Sequence, residues 1–192
     1  LQGRVIRHEA IAVSGGSSPP NPSAASSVSL SFVGRDAELA ALVASLDSDG
    51  RVAVVAGRSG SGKSRLLAEV AARLARPTIA ARAFAPERDE PWGLARSLLR
   101  EAFMLDPEAA SRLPARAAIA LADIVPDIEQ FRELPSVAID PASHRVLAFH
   151  GAVRLLSAAL PDGGLLIADD LQWADASSLE FLRLAEREVA GL

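Results

Sequence analysis

Several residue types that characterise whole classes of protein are scarce or absent in this 192-residue chain. It has no cysteine, which excludes disulfide bonds and thiolate metal sites. It has no tyrosine, and aromatic residues make up 4% of a chain that is 49% hydrophobic. A globular protein of this composition must build its core from alanine, leucine and valine.

Targeting and membrane signals are also missing from the sequence. No apolar run approaches the roughly 18 residues that a membrane-spanning helix needs. The first residues, Leu1–Val13, carry charges inside their apolar stretch, unlike a signal peptide. We therefore expect a cytoplasmic protein.

Positive charge is not concentrated anywhere along the chain. The formal net charge is −4, and no basic stripe is visible, so the sequence does not predict direct contact with nucleic acid. The three histidines, at positions 8, 144 and 150, are scattered and have no acidic partners at ligand spacing. A metal site among them is not expected.

The organisation of the chain indicates a piece of a longer protein. The only methionine is Met104, so the sequence does not begin at an initiator, and it ends inside a helical pattern. Residues 1–31 form an N-terminal segment with a Ser/Pro/Gly linker, Ser14–Ser31, which is too polar to bury a core. Residues 32–192 form the ordered domain.

Hydrophobic periodicity predicts an alternation of strands and helices in that domain. Short apolar, β-branched runs predict strands at 51–56, 77–84 and 164–168. Helical spacing predicts helices around 39–46, over 63–74, through most of 91–160 with breaks at the prolines, and over 179–189. Asp175 or Ser177 would cap the last helix, and Ser177 with Glu180 fits a capping box. The pattern indicates an α/β fold with parallel strands and a helical insertion between the second and third strands.

The turn after the first strand, Gly57–Ser64, matches the phosphate-loop pattern G-x-x-x-x-G-K-[ST]. A phosphate chain needs many donors at once, and glycine lets successive backbone N–H groups curl around an anion. The following helix would aim its N-terminal dipole at the same point. The residues expected to contact the nucleotide are Gly57, Arg58, Ser59, Gly60, Ser61, Gly62, Lys63, Ser64 and Arg65.

Two side chains of this loop have specific predicted roles. Lys63 would reach the β- and γ-phosphates, and the Ser64 hydroxyl would ligate Mg²⁺. The alternative is a Gly/Ser-rich turn with a coincidental lysine. The strand before the loop and the amphipathic helix after it favour the phosphate-binding interpretation.

The third predicted strand ends on two carboxylates, Asp169 and Asp170. Ligands of parallel sheets bind at the carboxyl ends of the strands, so we expect these acids beside the phosphate loop. Asp169 would hold Mg²⁺ directly or through water. Asp170 would deprotonate or only position the attacking water, since an Asp carboxylate is ordinarily a weak base. Solvated acids at a strand end are the alternative.

These residues resemble a known family. Phe32–Leu39 (FVGRDAEL), the phosphate loop continuing as Arg65-Leu-Leu, Pro91–Leu99 (PWGLARSLL) and Leu165–Asp175 (LLIADDLQWAD) look like the ATPase module of STAND-type signalling proteins. The loop and the acidic strand end correspond to the Walker A and Walker B motifs of P-loop NTPases. The likeness is greatest to large LuxR-type, MalT-like bacterial transcription regulators, and related modules follow class III nucleotide cyclases and some Ser/Thr kinases.

The resemblance implies a P-loop NTPase of the AAA/STAND type, with ATP and Mg²⁺ as ligands and slow hydrolysis as a switch. It implies a partial ATPase domain at residues 32–192, because a strand expected between the phosphate-loop strand and the acidic strand is not in the sequence. It also implies an output domain in the same chain, such as a DNA-binding helix-turn-helix, and ATP-dependent self-association. Val33, Gly34 and Arg35 would lie near the adenine or ribose, or would merely begin a helix.

Three functions remain open at this point. The module could gate a LuxR-type transcription regulator, could act as the sensor attached to a cyclase or kinase domain, or could bind ATP as a scaffold without turnover. The sequence does not name the signal or the target genes.

Overall fold

The computed structural model describes residues 11–12, 34–47, 52–131, 133–189 and 191–192. The chain divides into two compact units, residues 1–75 and residues 76–192, which are taken separately below. The predicted linker Ser14–Ser31 and the predicted contacts of Phe32 and Val33 lie outside the described residues.

The first unit contains two helices and a short parallel ladder. Strand β1, Ile11–Ala12, pairs with β2, Val55–Ala56, in parallel register. Helix α1, Asp36–Asp47, packs on α2, Lys63–Leu74, and their buried leucines and valine form the contact. The bounds of α2 are those predicted from the sequence.

The first predicted strand is shorter and more exposed than its composition indicated. Residues 51–56 were expected to form a buried strand, but of the described residues 52–56 only Val55–Ala56 is a strand, and Val52 and Val54 are 49% and 40% exposed. An apolar strand is buried only where neighbouring strands and layers cover it. In the described part of this unit, the only ladder is the two-residue pairing with β1.

The second unit is built on a pair of parallel strands. Strand β3, Thr78–Arg82, pairs with β4, Leu165–Asp169, over five residues, from Thr78 opposite Leu165 to Arg82 opposite Asp169. Both strands were predicted to within a few residues, and the predicted helical insertion lies between them. Its helices are α3 (Gly93–Leu105), α4 (Ala115–Ala122), α5 (Asp127–Phe131) and α6 (Pro141–Ala159), and α7 (Ala176–Glu188) follows β4. Short 3₁₀ turns occupy Ala85–Glu87, Pro107–Arg112 and Leu171–Trp173.

Proline marks where the inserted helices begin. Proline has no backbone N–H, and the N–H groups of the first helical turn have no partner within the helix, so nothing is lost there. Pro107 and Pro141 lie at the start of their helices, and the preceding residues Asp106 and Asp140 cap them by accepting backbone N–H groups. The sequence prediction of breaks at the prolines is confirmed at these positions.

The core of the second unit is mainly aliphatic, as the composition predicted. Helix α3 packs on β3, α6 and α7, and α4 packs on α6. Gly151 permits the α4–α6 contact, because a Cβ at this position would lie 3.0 Å from the carbonyl oxygen of Ala117. Three aromatic rings meet within this core, where Trp92 lies 4.4 Å from Phe149 and 6.4 Å from Phe181 between ring centroids. Among the described residues, no helix has both the length and the apolarity to cross a bilayer.

The start of α7 resolves one sequence alternative. Asp175 caps the helix, and its carboxylate accepts the backbone N–H of Ser178 at 3.0 Å. The capping box predicted for Ser177 and Glu180 is therefore wrong, since Ser177 already lies inside the helix and Glu180 pairs with Arg145. Asp175 fills the N-cap position just outside the helix, from which its carboxylate reaches the N–H three residues on.

Candidate phosphate-binding site

The loop Gly57–Ser64 joins β2 to α2 in the first unit. Its backbone turns at Gly60 and Gly62, which have φ angles of 73° and 77°. Residues with a Cβ avoid this left-handed region, so these two positions favour glycine. Gly57, which was expected to share this role, is not among the residues with positive φ.

Gly62 caps the N-terminus of α2 without a side chain. A Cβ built at Gly62 would meet no atom within 4 Å, so glycine is needed here for its dihedrals rather than for space. A helix start that no side chain caps presents backbone donors and the positive end of the helix dipole to an anion. This is the property that the sequence pattern predicted for the loop.

The ammonium group of Lys63 lies against the loop. Its Nζ donates hydrogen bonds to the carbonyl oxygens of Gly57 and Arg58, both at 3.1 Å. The turn inside the loop is closed by the N–H of Ser61, which donates to the same Arg58 carbonyl at 3.2 Å. The positive charge therefore sits at the mouth of the loop, while Arg58, Ser59, Ser64 and Arg65 are exposed around it.

Ser61 is the one loop residue that is buried. Its side chain is 2% exposed, and its Oγ has no hydrogen-bond partner in the part of the chain that the structure describes. A buried hydroxyl without a partner is costly, which makes an acceptor such as a phosphate oxygen chemically suitable at this place.

The acidic pair lies at the end of β4 in the second unit. Asp169 is the last strand residue, and Asp170 follows in a left-handed conformation with φ 54° and ψ 41°. The N–H of Asp170 donates to Oδ1 of Asp169 at 2.9 Å. The two carboxylates are 14% and 18% exposed, so both are partly withdrawn from water.

Sequence reasoning missed a third member of this cluster, Arg82. Its Nε donates to Oδ2 of Asp170 at 2.6 Å and lies 4.0 Å from Oδ2 of Asp169. Gln172 completes the set by donating from Nε2 to Oδ1 of Asp170 at 3.0 Å. Arg82 is the last residue of a strand that runs parallel to the acidic strand, which could have placed it near the two acids. The register of the two strands, which sets Arg82 opposite Asp169, is known only from the structure.

Other residues weighed from the sequence have structural roles. Trp173 packs partly buried against the core, and Asp175 is the cap of α7. His144 pairs with Asp123. Arg145 lies over the ring of Phe149, on an exposed face.

The start of α1 favours the structural interpretation of Gly34 and Arg35. The carbonyl of Arg35 accepts the N–H of Leu39 at 3.0 Å, which is the first turn of the helix. No contact with a nucleotide is needed to explain the backbone at these residues.

The residues present fit a polyphosphate with a divalent cation. The loop offers a curled backbone, a lysine and the N-terminus of α2, and its Ser64 hydroxyl is an oxygen donor of the type that Mg²⁺ prefers. In the second unit, the carboxylate of Asp169 is another such donor. Among the described residues, no three His, Cys, Asp or Glu side chains cluster closely enough to hold a metal by themselves.

Comparison with protein families gives one match, in which the AAA ATPase domain covers residues 31–189. The chain belongs to the AAA ATPase domain family. No curated protein and no solved structure matches it. An AAA ATPase domain is a P-loop NTPase, so the prediction of a P-loop NTPase is confirmed, and membership of the family implies nucleotide binding. The helix-rich architecture with its short parallel ladders is consistent with an α/β fold.

Proposed function

We propose that this AAA ATPase domain binds Mg·ATP through Gly57–Ser64 and acts as the switch module of a multidomain bacterial signalling protein. The observation that carries the proposal is the loop itself. Gly60 and Gly62 have left-handed dihedrals that let backbone N–H groups curl around an anion, Lys63 donates to carbonyl oxygens of the loop, and the N-cap of the helix behind it is Gly62, which has no side chain.

The backbone of the loop and two neighbouring cations have proposed tasks in nucleotide binding. Backbone N–H groups and the dipole of α2 stabilise the phosphate charge, and Lys63 adds a compact positive charge toward the β- and γ-phosphates. Arg65, the next exposed cation on α2, belongs to the same proposed contact surface. Since Lys63 is the only lysine in the sequence, no other lysine can replace it.

The acidic strand end supplies the proposed magnesium and water chemistry. Asp169 is a proposed ligand of Mg²⁺, as is the Ser64 hydroxyl of the loop, and Asp170 would position the attacking water. Mg²⁺, when bound, neutralises charge that develops on the transferred phosphoryl group.

The signalling context is the finer part of the proposal. The motifs Phe32–Leu39 and Leu171–Asp175 support a STAND-type module, most similar to LuxR-type regulators, in which ATP binding and slow hydrolysis gate an output domain. An attached cyclase or kinase domain remains the alternative. ATP-dependent self-association belongs to the same proposal.

Phosphate release by the intact polypeptide tests whether the switch turns over. We expect Mg²⁺-dependent release of phosphate from ATP by the native sequence and loss of that release in Lys63→Ala, because Lys63 contacts the transferred phosphate. Arg73→Ala, which removes an exposed cation from the same helix, is the matched control and should retain the native rate. Equal rates in native and Lys63→Ala proteins would refute the ATPase and leave only an ATP-binding scaffold.

A further inference from the structure

The turn before α3 holds Trp92 in an unusual backbone conformation. Its φ and ψ angles are 69° and 13°, in the left-handed region that bulky residues rarely adopt. Among the described residues other than glycine, only Ala75 and Asp170 share a positive φ angle, and both have smaller side chains. Such a conformation costs free energy and persists only where the surrounding structure holds it.

Contacts from the second half of the chain hold Trp92 in this conformation. Its N–H donates to Oδ1 of Asp175 at 3.0 Å. Its ring packs on Phe149 of α6 and on Phe181 of α7. The left-handed backbone therefore depends on tertiary contacts, and the loss of one of them would let Trp92 relax.

Asp175 connects this turn to the loop after β4, residues 170–175. It is 6% exposed and also accepts the N–H of Ser178 at 3.0 Å as the cap of α7. The Ser178 hydroxyl donates to Oδ2 of Asp175 and accepts the N–H of Ala95, in the first turn of α3, at 2.9 Å. Two backbone groups at the start of α3 thus depend on Asp175 and Ser178, so a displacement of the loop after β4 displaces their acceptors.

The two loops that this network joins leave the sheet at the same edge. Strands β3 and β4 are parallel and end at Arg82 and Asp169, which stand opposite each other. The carboxyl ends of parallel strands are where ligands bind. The hydrogen bond between Trp92 and Asp175, which are 83 positions apart, therefore links the elements of the acidic strand end to the inserted helices.

We propose that the Trp92–Asp175 hydrogen bond is a conformational relay that transmits nucleotide binding at the acidic strand end to the inserted helices. The inference rests on the proposed function, in which Asp170 positions the attacking water. When the loop after β4 shifts around the nucleotide, Asp175 withdraws from the N–H of Trp92. Trp92 then leaves the left-handed conformation, its ring separates from Phe149, and α3 moves relative to α6.

The fluorescence of Trp92 in the intact polypeptide tests this movement. The sequence has two tryptophans, so Trp173→Phe leaves Trp92 as the only emitter. Saturating Mg·ATP should shift its emission to longer wavelength, because the ring leaves apolar contacts and gains water. Adding Asp175→Ala should produce the long-wavelength emission without nucleotide and abolish the response. Asp175→Asn keeps an oxygen acceptor and should retain the response, as should the control Asp140→Ala, which removes the exposed cap of α6.

The affinity for Mg·ATP tests the coupling by a second measurement. If the relay opposes the nucleotide-bound arrangement, its loss favours binding, because a ligand shifts an equilibrium by its differential affinity for the two states. Asp175→Ala should therefore bind Mg·ATP roughly fivefold more tightly in calorimetry, at the lower end of typical coupling between two sites. Asp175→Asn and Asp140→Ala should keep the native affinity. Native or weaker affinity in Asp175→Ala would overturn the relay, since a purely structural cap would give that result.

Hydrogen exchange of the native sequence needs no substitution and does not depend on the folding of any variant. The N–H of Trp92 should exchange faster with saturating Mg·ATP than without nucleotide, because it loses its acceptor. Unchanged or slower exchange, in a protein that calorimetry shows to be saturated, would overturn the relay and leave the proposed function standing. An absence of saturable heat from the native protein would refute the proposed function and the relay with it.

Discussion

At the scale of single residues, a substitution of Asp170 distinguishes nucleotide binding from nucleotide hydrolysis. Asp170→Asn keeps the shape of the side chain and its hydrogen bonding to Gln172 but removes the charge. We expect it to bind Mg·ATP as the native protein does and to hydrolyse it about 100-fold more slowly, since a positioned acid–base group contributes on that order. Binding by calorimetry and turnover by phosphate release measure the two effects.

The comparison with Lys63→Ala decides whether that role is correct. Lys63→Ala should lose binding, while Asp170→Asn should lose only turnover. If Asp170→Asn lost binding as completely as Lys63→Ala, Asp170 would be a nucleotide ligand and the assignment of roles would be wrong.

The sequence alone named candidate site residues, but it did not show which side chains contact one another. The pattern Gly57–Ser64 and the pair Asp169–Asp170 were recognised because their spacing along the chain is itself the signal. Arg82 was missed because its partners are more than 80 positions away and are reached only through the register of two strands. The left-handed backbone of Asp170 was equally invisible, since Asp adopts that conformation only occasionally.

At the scale of elements, the cap of α7 also joins two loops of the second unit. The carboxylate of Asp175 accepts the N–H of Ser178 and, from the loop before α3, the N–H of Trp92, each at 3.0 Å. The Ser178 hydroxyl donates to the same carboxylate and accepts the N–H of Ala95 at 2.9 Å. One buried network thus ties the loop after β3 to the loop after β4.

This network makes stability depend on pH. Burial raises the pKa of Asp175, but hydrogen bonds from the Ser178 hydroxyl and from the N–H groups of Ser178 and Trp92 outweigh it and hold the pKa below its ordinary value. A lowered pKa in the folded state stabilises the fold above the unfolded pKa of about 3.9 and loses that contribution as pH falls through the folded value. The free energy of unfolding should therefore decline in acid below about pH 4.

Asp175→Ala should lower the free energy of unfolding by roughly 2–3 kcal/mol at neutral pH, because it removes a cap and leaves buried donors unpaired. It should also flatten the acid decline, which urea unfolding across pH 3–7 would measure. Asp140→Ala removes an exposed cap from α6 and is the control, with a smaller loss expected. Equal losses in both variants would contradict the buried network.

Element type was more predictable than element exposure. The amphipathic period of α2 fixed its bounds, and the prolines marked the starts of the inserted helices, because both signals are local. The exposure of Val52 and Val54 depends on which strands and layers cover them, which no local pattern records. Strand β1 was not predicted because two residues are too few to show any period.

At the scale of the whole molecule, the predicted ligands of ATP are carried by both compact units. The phosphate loop belongs to residues 1–75, and the acidic strand end with Arg82 belongs to residues 76–192. Membership of the AAA ATPase domain family spans both, from residue 31 to residue 189. The intact polypeptide is therefore the right object for every test of function.

The most direct test of the central claim is titration calorimetry of the intact polypeptide with Mg·ATP. A saturable heat of binding is expected for the native sequence and for Arg73→Ala, and no heat is expected for Lys63→Ala. No heat from the native protein with either Mg·ATP or Mg·GTP would contradict the claim that Gly57–Ser64 cradles a nucleoside triphosphate.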